Sequence, residues 1–184
     1  MSKITGSCWA FASTETVEDI TKIKKGVLYD LSPQQLIDCD TRNDGCTSGY
    51  MYKAIKYIQR YGGITTWANY PYTSVTGTCD AFKAAETVTT ISGYGEVISN
   101  SKQALMVAVA RQPIAVAIDA SDDFQQYSAD VFHGSCGINT NVHVVSVIGY
   151  DDTDTSDKYW IMKNSWGSEW GEAGYIRTEK DVAA

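Results

Sequence analysis

With 184 residues, 43% of them hydrophobic and 20% charged, the chain has a globular composition that excludes disorder and fibrous repeats and suffices for one large domain or two small lobes. Fifteen basic against 22 acidic residues give a net charge of −7, and the only basic run is Lys22-Ile23-Lys24-Lys25, so no nucleic-acid partner is expected. No apolar run approaches the roughly 20 residues of a bilayer-spanning helix, no membrane association is expected, and Met1-Ser2-Lys3-Ile4-Thr5 is too short for a signal peptide.

A first helix is predicted from Cys8 to Lys25. Trp9, Ala10, Ser13, Val17 and Ile20 share one arc at helical period, while Glu15, Glu18, Asp19 and Lys22 face away. Gly26 ends it, and the lysines of the last turn complement the helix dipole. A short helix to Asp38 follows, with Ser32 as N-cap, Pro33 in the first helical position and Gln35 closing a capping box. Met51, Ala54, Ile55 and Ile58 carry a third helix until Gly62-Gly63.

From about Thr87 the pattern changes to strands, at Val88–Ile91, Ile114–Asp119, His143–Tyr150, Lys158–Ser165 and Gly174–Thr178. One helix interrupts them, capped by Ser101 and ending at Arg111 before Pro113. Helices first and strands later is the order of an α+β protein with a helical lobe over 1–86 and a β-rich lobe over 87–184.

The chemistry starts at Gly6-Ser7-Cys8-Trp9-Ala10-Phe11-Ala12, which places a thiol at a helix start. Backbone N–H groups and the positive end of the dipole favour its thiolate there. Five cysteines, Cys8, Cys39, Cys46, Cys79 and Cys136, form an odd set without a C-x-x-C pair; this points to a disulfide-bearing protein with a reactive thiol, and no metal or cofactor is expected. Of the two histidines, His133 reads as surface, while His143 opens an apolar strand. Asn164 ends a strand on the side of Trp160 and Met162; a buried amide there needs a partner, which an imidazole N–H can supply.

Cysteine early, histidine and asparagine far downstream, is a nucleophilic arrangement whose members meet in space. Gly6-Ser7-Cys8-Trp9-Ala10-Phe11, Leu31-Ser32-Pro33-Gln34-Gln35 with Asp38-Cys39, Tyr70-Pro71-Tyr72, the strand from His143 to Tyr150 and Lys163-Asn164-Ser165-Trp166-Gly167 with Trp170-Gly171 together resemble the papain-like cysteine proteases, above all plant, bromelain-type members. The resemblance implies a helical left lobe, a β-barrel-like right lobe and a substrate cleft between them. It assigns Cys8 as nucleophile, His143 as general base and acid and Asn164 as the residue orienting the imidazole, with Trp166 and Gly6 in support. It implies a Cys39–Cys79 disulfide, peptide or protein substrates, cystatin-type inhibitors as partners, a monomer, and a secreted, vacuolar or lysosomal location.

Against the family pattern the chain reads as truncated at both ends, before the closing strand and the cysteine that would pair with Cys136. Ser2 stands where relatives have a glutamine that donates to the oxyanion, a loss that typically costs on the order of 100- to 1000-fold in rate. Thr5 replaces a cysteine, which leaves Cys46 without its family partner. In Gly45-Cys46-Thr47-Ser48-Gly49, Ser48 replaces a glycine used to bind substrate backbone, and Val142 replaces the usual Asp or Asn before the histidine. Two functions follow: an active endopeptidase, favoured by Cys8, His143 and Asn164, or a truncated, weakly catalytic or non-catalytic homologue with a binding, storage or regulatory role, favoured by Ser2, Thr5 and Ser48.

By position, Tyr50, Met51, Ala117, Val142 and Val144 line the pocket for the substrate residue two before the scissile bond. Peptide-library cleavage is expected to show hydrophobic or aromatic residues there, and Val144→Glu should recruit basic ones; a basic preference in the unmodified protein would sink this pocket assignment.

Overall fold

The computed structural model of the chain describes residues 6–134, 141–153 and 157–180. It divides into two compact units, one ending at Glu96 and the other beginning at Val97. Ser2, Thr5 and Cys136 lie outside the described residues.

The first unit is built on helix α1 (Cys8–Lys25), against which α2 (Pro33–Cys39) and α3 (Met51–Tyr61) pack. Gly26 closes α1 in the left-handed conformation, φ 76°, donating to Lys22 O, as a helix C-cap glycine does. The buried face is wider than the sequence arc: Glu15 is buried along with Trp9, Ala10, Ser13 and Val17, whereas Ile20 is only half-buried. Ser32 caps α2 by accepting from Gln35 N–H at 3.0 Å. The reciprocal half of the capping box is missing, because the Gln35 side chain instead accepts Thr65 N–H at 2.8 Å. A tertiary backbone donor has displaced the local one. Cys39 is bonded to Cys79, and Asp80 caps the short helix α4 (Ala81–Ala85). Of the strand expected over Val88–Ile91 there is only an isolated bridge, Thr89 to Ile64.

The second unit holds α5 (Lys102–Val109), β1 (Ile114–Asp119), α6 (Asp122–Gln125), β2 (Val131–Phe132), β3 (Val142–Asp151), β4 (Tyr159–Lys163) and β5 (Tyr175–Glu179). The strands form one mixed sheet in the order β1-β3-β4-β5-β2, antiparallel except for the β2–β5 pair. Alternation holds along β4, where Trp160 and Met162 are buried and Tyr159, Ile161 and Lys163 less so, and it carries on to the buried Asn164. The short elements β2 and α6 have no sequence periodicity to announce them. Yet α6 supplies Phe124, which lies in the core with Trp160, Met162, Trp170 and Ile176.

Phe124 is 2% exposed and meets Phe132, Trp166 and Trp170 with ring centroids 5.9, 5.7 and 5.3 Å away. Phe124→Ala is therefore expected to destabilise this unit by about 3–5 kcal/mol, through lost burial and a cavity that the rigid indoles cannot fill. Urea unfolding followed by tryptophan fluorescence measures it; a change under about 1 kcal/mol would refute the packing role.

Candidate active site

In the second unit, β3 carries His143 directly across from Ile118 of β1. The residue is buried, and its ring stacks on Trp166 at 4.8 Å with 29° between planes. Nε2 lies 2.7 Å from Asn164 Oδ1. That oxygen also accepts the backbone N–H of Ser165 at 2.8 Å. Because Ser165 N can only donate, the amide is oriented with its oxygen toward the ring, and the ring nitrogen facing it must carry a proton. The neutral imidazole is therefore the Nε2–H tautomer, with the Nδ1 lone pair unprotonated. Asn164 is held from its backbone as well, N–H donating to Gly174 O at 2.9 Å. Its buried Nδ2 has no partner among the described residues, a cost of about 1–3 kcal/mol that the fold bears at this amide. Burial pushes the His143 pKa below its ordinary 6.5, and the hydrogen bond to Asn164 opposes that shift.

In the first unit, Cys8 is the first residue of α1 and is half-buried. Ser7 does not cap the helix with its side chain; its hydroxyl lies 3.1 Å from Tyr72 OH, and Phe11 meets the Tyr72 ring edge-on at 4.9 Å. The loop 45–49 lies directly on this helix start. Trp9 is fully buried and its indole N–H donates to Gly45 O at 3.1 Å. A Cβ on Gly49 would stand 2.5 Å from that indole, and one on Gly6 would stand 2.0 Å from Thr47 O, so both positions exclude any side chain. The same loop is tied from below by Asp40, whose buried carboxylate accepts from Arg42 Nε at 3.0 Å and Asn43 Nδ2 at 2.9 Å, while Asn43 Oδ1 accepts Tyr50 N–H at 2.8 Å.

Ser48 is exposed, and its backbone is engaged with Asp44: Asp44 N–H donates to Ser48 O at 2.9 Å and Ser48 N–H to Asp44 O at 3.3 Å. The N–H and C=O of Gly49 itself bond to nothing among the described residues, which makes Gly49 a position with a backbone donor and acceptor to offer. Tyr50 and Met51 begin α3 in the first unit. Ala117 and Val144 are direct cross-strand partners in the second, Val142 pairs with Asp119 on the same sheet face, and Val142 is 65% exposed whereas Val144 is buried. Both Asp119 carboxylate oxygens are buried without a partner among the described residues. Cys46 is a thiol, and the exposed His133 pairs with Glu179 at 2.9 Å. Among the described residues no group of three or more His, Cys, Asp or Glu is placed to hold a metal ion.

Sequence reasoning missed Phe124, which braces both the His143 ring at 6.5 Å and Trp166, and the Asp40 network under the loop. A helix as short as α6 leaves no periodic trace, and an aspartate after a helix reads as an ordinary turn residue.

The chain matches the family model described as papain family cysteine protease over residues 3–184. It is 51% identical over 179 residues to the KDEL-tailed cysteine endopeptidase CEP2 of Arabidopsis thaliana, covering 96% of this chain and 49% of that protein. It is also 51% identical over 180 residues to vignain of Ricinus communis, covering 97% and 50%. The chain thus spans about half the length of these curated relatives. Among solved structures, the bromelain protease of Ananas comosus in complex with an inhibitor superposes with a TM-score of 0.92 at 45% identity, covering 100% of this chain and 84% of that one. A family match over nearly the whole sequence and a fold shared at this level of identity place the chain in the papain family of cysteine proteases.

Proposed function

We propose that the chain is a cysteine endopeptidase that cuts peptide bonds with Cys8, His143 and Asn164 through a thioester. The observation that carries this reading is the pair of N–H groups converging on Asn164 Oδ1, which holds His143 as the Nε2–H tautomer with Nδ1 ready to take a proton. Nδ1 accepts the Cys8 thiol proton, and the thiolate, favoured at the start of α1, attacks the substrate carbonyl carbon. The oxyanion draws on the Cys8 backbone N–H. The imidazolium then returns its proton to the leaving amine as the C–N bond breaks, leaving a thioester. Water, deprotonated by Nδ1, attacks the thioester carbonyl, and the thiol leaves with the proton.

Trp166, stacked on the ring, shields the His143–Asn164 bond from water. Gly49 supplies the backbone contact to an extended substrate, and Tyr50, Met51, Ala117, Val142 and Val144 form the apolar pocket. Peptide or protein substrates and cystatin-type inhibitors are the partners of this reading. The Cys39–Cys79 disulfide supports an oxidising compartment, that is, a secreted, vacuolar or lysosomal site of action.

The reduced protein is expected to be alkylated once, at Cys8, by a thiol-directed peptidyl epoxide, and to hydrolyse a fluorogenic peptide with an aromatic residue two before the cleaved bond. Absence of labelling in folded protein would replace this reading with the non-catalytic one, a binding, storage or regulatory homologue.

The pairing of thiol and imidazole has its own signature. Burial lowers the His143 pKa, so without a thiolate the ring prefers to be neutral and titrates below 6.5. A thiolate opposite it favours the imidazolium and raises the apparent value. NMR titration of the ring C–H protons is therefore expected to give a lower His143 pKa in Cys8→Ser than in the unmodified protein. In Cys8→Ser the folded state resists protonation that the unfolded state accepts, so stability should fall as pH drops from 6.5 toward the folded pKa. Identical titrations in the two proteins would show that Cys8 and His143 do not act as a pair.

A further inference from the structure

We propose that the exposed face of α3 holds acidic side chains of the substrate, so that this chain favours peptides with Glu or Asp a few residues from the bond that is cut. The proposal rests on the endopeptidase reading and adds a substrate class to it.

Lys56 lies between two phenol rings, with Nζ 5.2 Å from the Tyr52 centroid and 5.1 Å from that of Tyr94. Both tyrosines are 41% exposed and Lys56 itself is part-exposed, so the ammonium is flanked by two rings near the surface. One turn earlier, Lys53 sits over Tyr50 at 4.7 Å, and Tyr50 lies 5.6 Å from Tyr52. Lys53 has an internal acceptor in Arg42 O at 2.8 Å. Lys56 has no carboxylate within ion-pairing distance among the described residues, and neither has Arg60 one turn further on.

In a chain of net charge −7, a cation held as Lys56 is, with no counter-ion among the described residues, is suited to one brought by a ligand. The rings pre-order the lysine and so remove part of the entropy that an exposed ion pair ordinarily loses. The strip also begins on the segment that packs against the helix start: Gly49 lies on the indole of Trp9, Trp9 follows Cys8, and Tyr50 follows Gly49 in the chain. A peptide running along Gly49 would meet Tyr50 and then Lys56. A carboxylate arriving there gains a charge-assisted contact to Nζ.

The test is binding, measured by fluorescence anisotropy on Cys8→Ala protein, so that it does not depend on turnover. Labelled peptides of equal length with a central aromatic residue carry Glu, Gln or Lys at positions scanned on both sides of it. At low salt, Glu at one of these positions should bind roughly three- to fivefold tighter than Gln, and Lys more weakly than either. The Glu advantage should vanish near about 0.5 M salt and in Lys56→Gln, and persist in Lys56→Arg. Equal affinities for Glu and Gln, no binding of any peptide, or a Glu preference that survives Lys56→Gln would overturn the proposal. A Lys56-dependent preference in a protein whose Cys8 is neither alkylated nor catalytic would instead overturn the endopeptidase reading alone.

Discussion

Two N–H groups meeting on one oxygen set the terms for the second unit. Asn164 Oδ1 can accept from the Ser165 backbone and from the imidazole only if the chain turns at the end of β4 and if β3 presents His143 at the matching height. The rest of the unit is arranged to keep that geometry. Gly174 O anchors the asparagine backbone, Trp166 covers the ring, and Phe124 wedges against both aromatic systems. The orphaned Nδ2 shows the direction of the compromise: the amide oxygen is doubly satisfied while its nitrogen is buried with no partner among the described residues.

The first unit fixes its part by close packing. At Gly6 and Gly49 the backbone of one segment comes so near the other that a Cβ cannot be accommodated, and the Trp9 indole fills the space between. Hydrogen bonds accepted by Gly45 O, by the Asp40 carboxylate and by Asn43 Oδ1 then lock the loop in register with the helix start. Packing of this kind tolerates no added volume, so each of these two segments restricts where the other can sit. The unit's outer edge, by contrast, is aromatic, basic and open to solvent.

Burial and charge pull in opposite directions at His143. A ring enclosed by tryptophan and phenylalanine is precisely oriented, but the same enclosure disfavours its charged form. The hydrogen bond to Asn164 recovers only part of that loss, so a further negative charge is what would shift the ring back toward the imidazolium. On the proposed mechanism a thiolate supplies it, and the resting proton balance belongs to the pair and not to either residue.

Local chemistry made much of this legible from the sequence. Caps and breakers such as Gly26, Ser32 with Pro33, Ser101 and Gly62 act within a turn of themselves, so the bounds of α1 and α3 and the starts of α2 and α5 could be read directly. The need of a buried Asn164 for an imidazole donor was likewise readable, because alternation along a strand is local and an unpaired amide is costly. Only the tertiary structure decided which ring nitrogen faces the asparagine, that Gln35 serves Thr65 instead of its own helix, that Glu15 is buried, and that Gly49 rather than Ser48 has its own N–H and C=O unengaged by the described residues. Each of these depends on a partner far away in the chain, and no local pattern of hydrophobicity or turn residues records where such a partner will be.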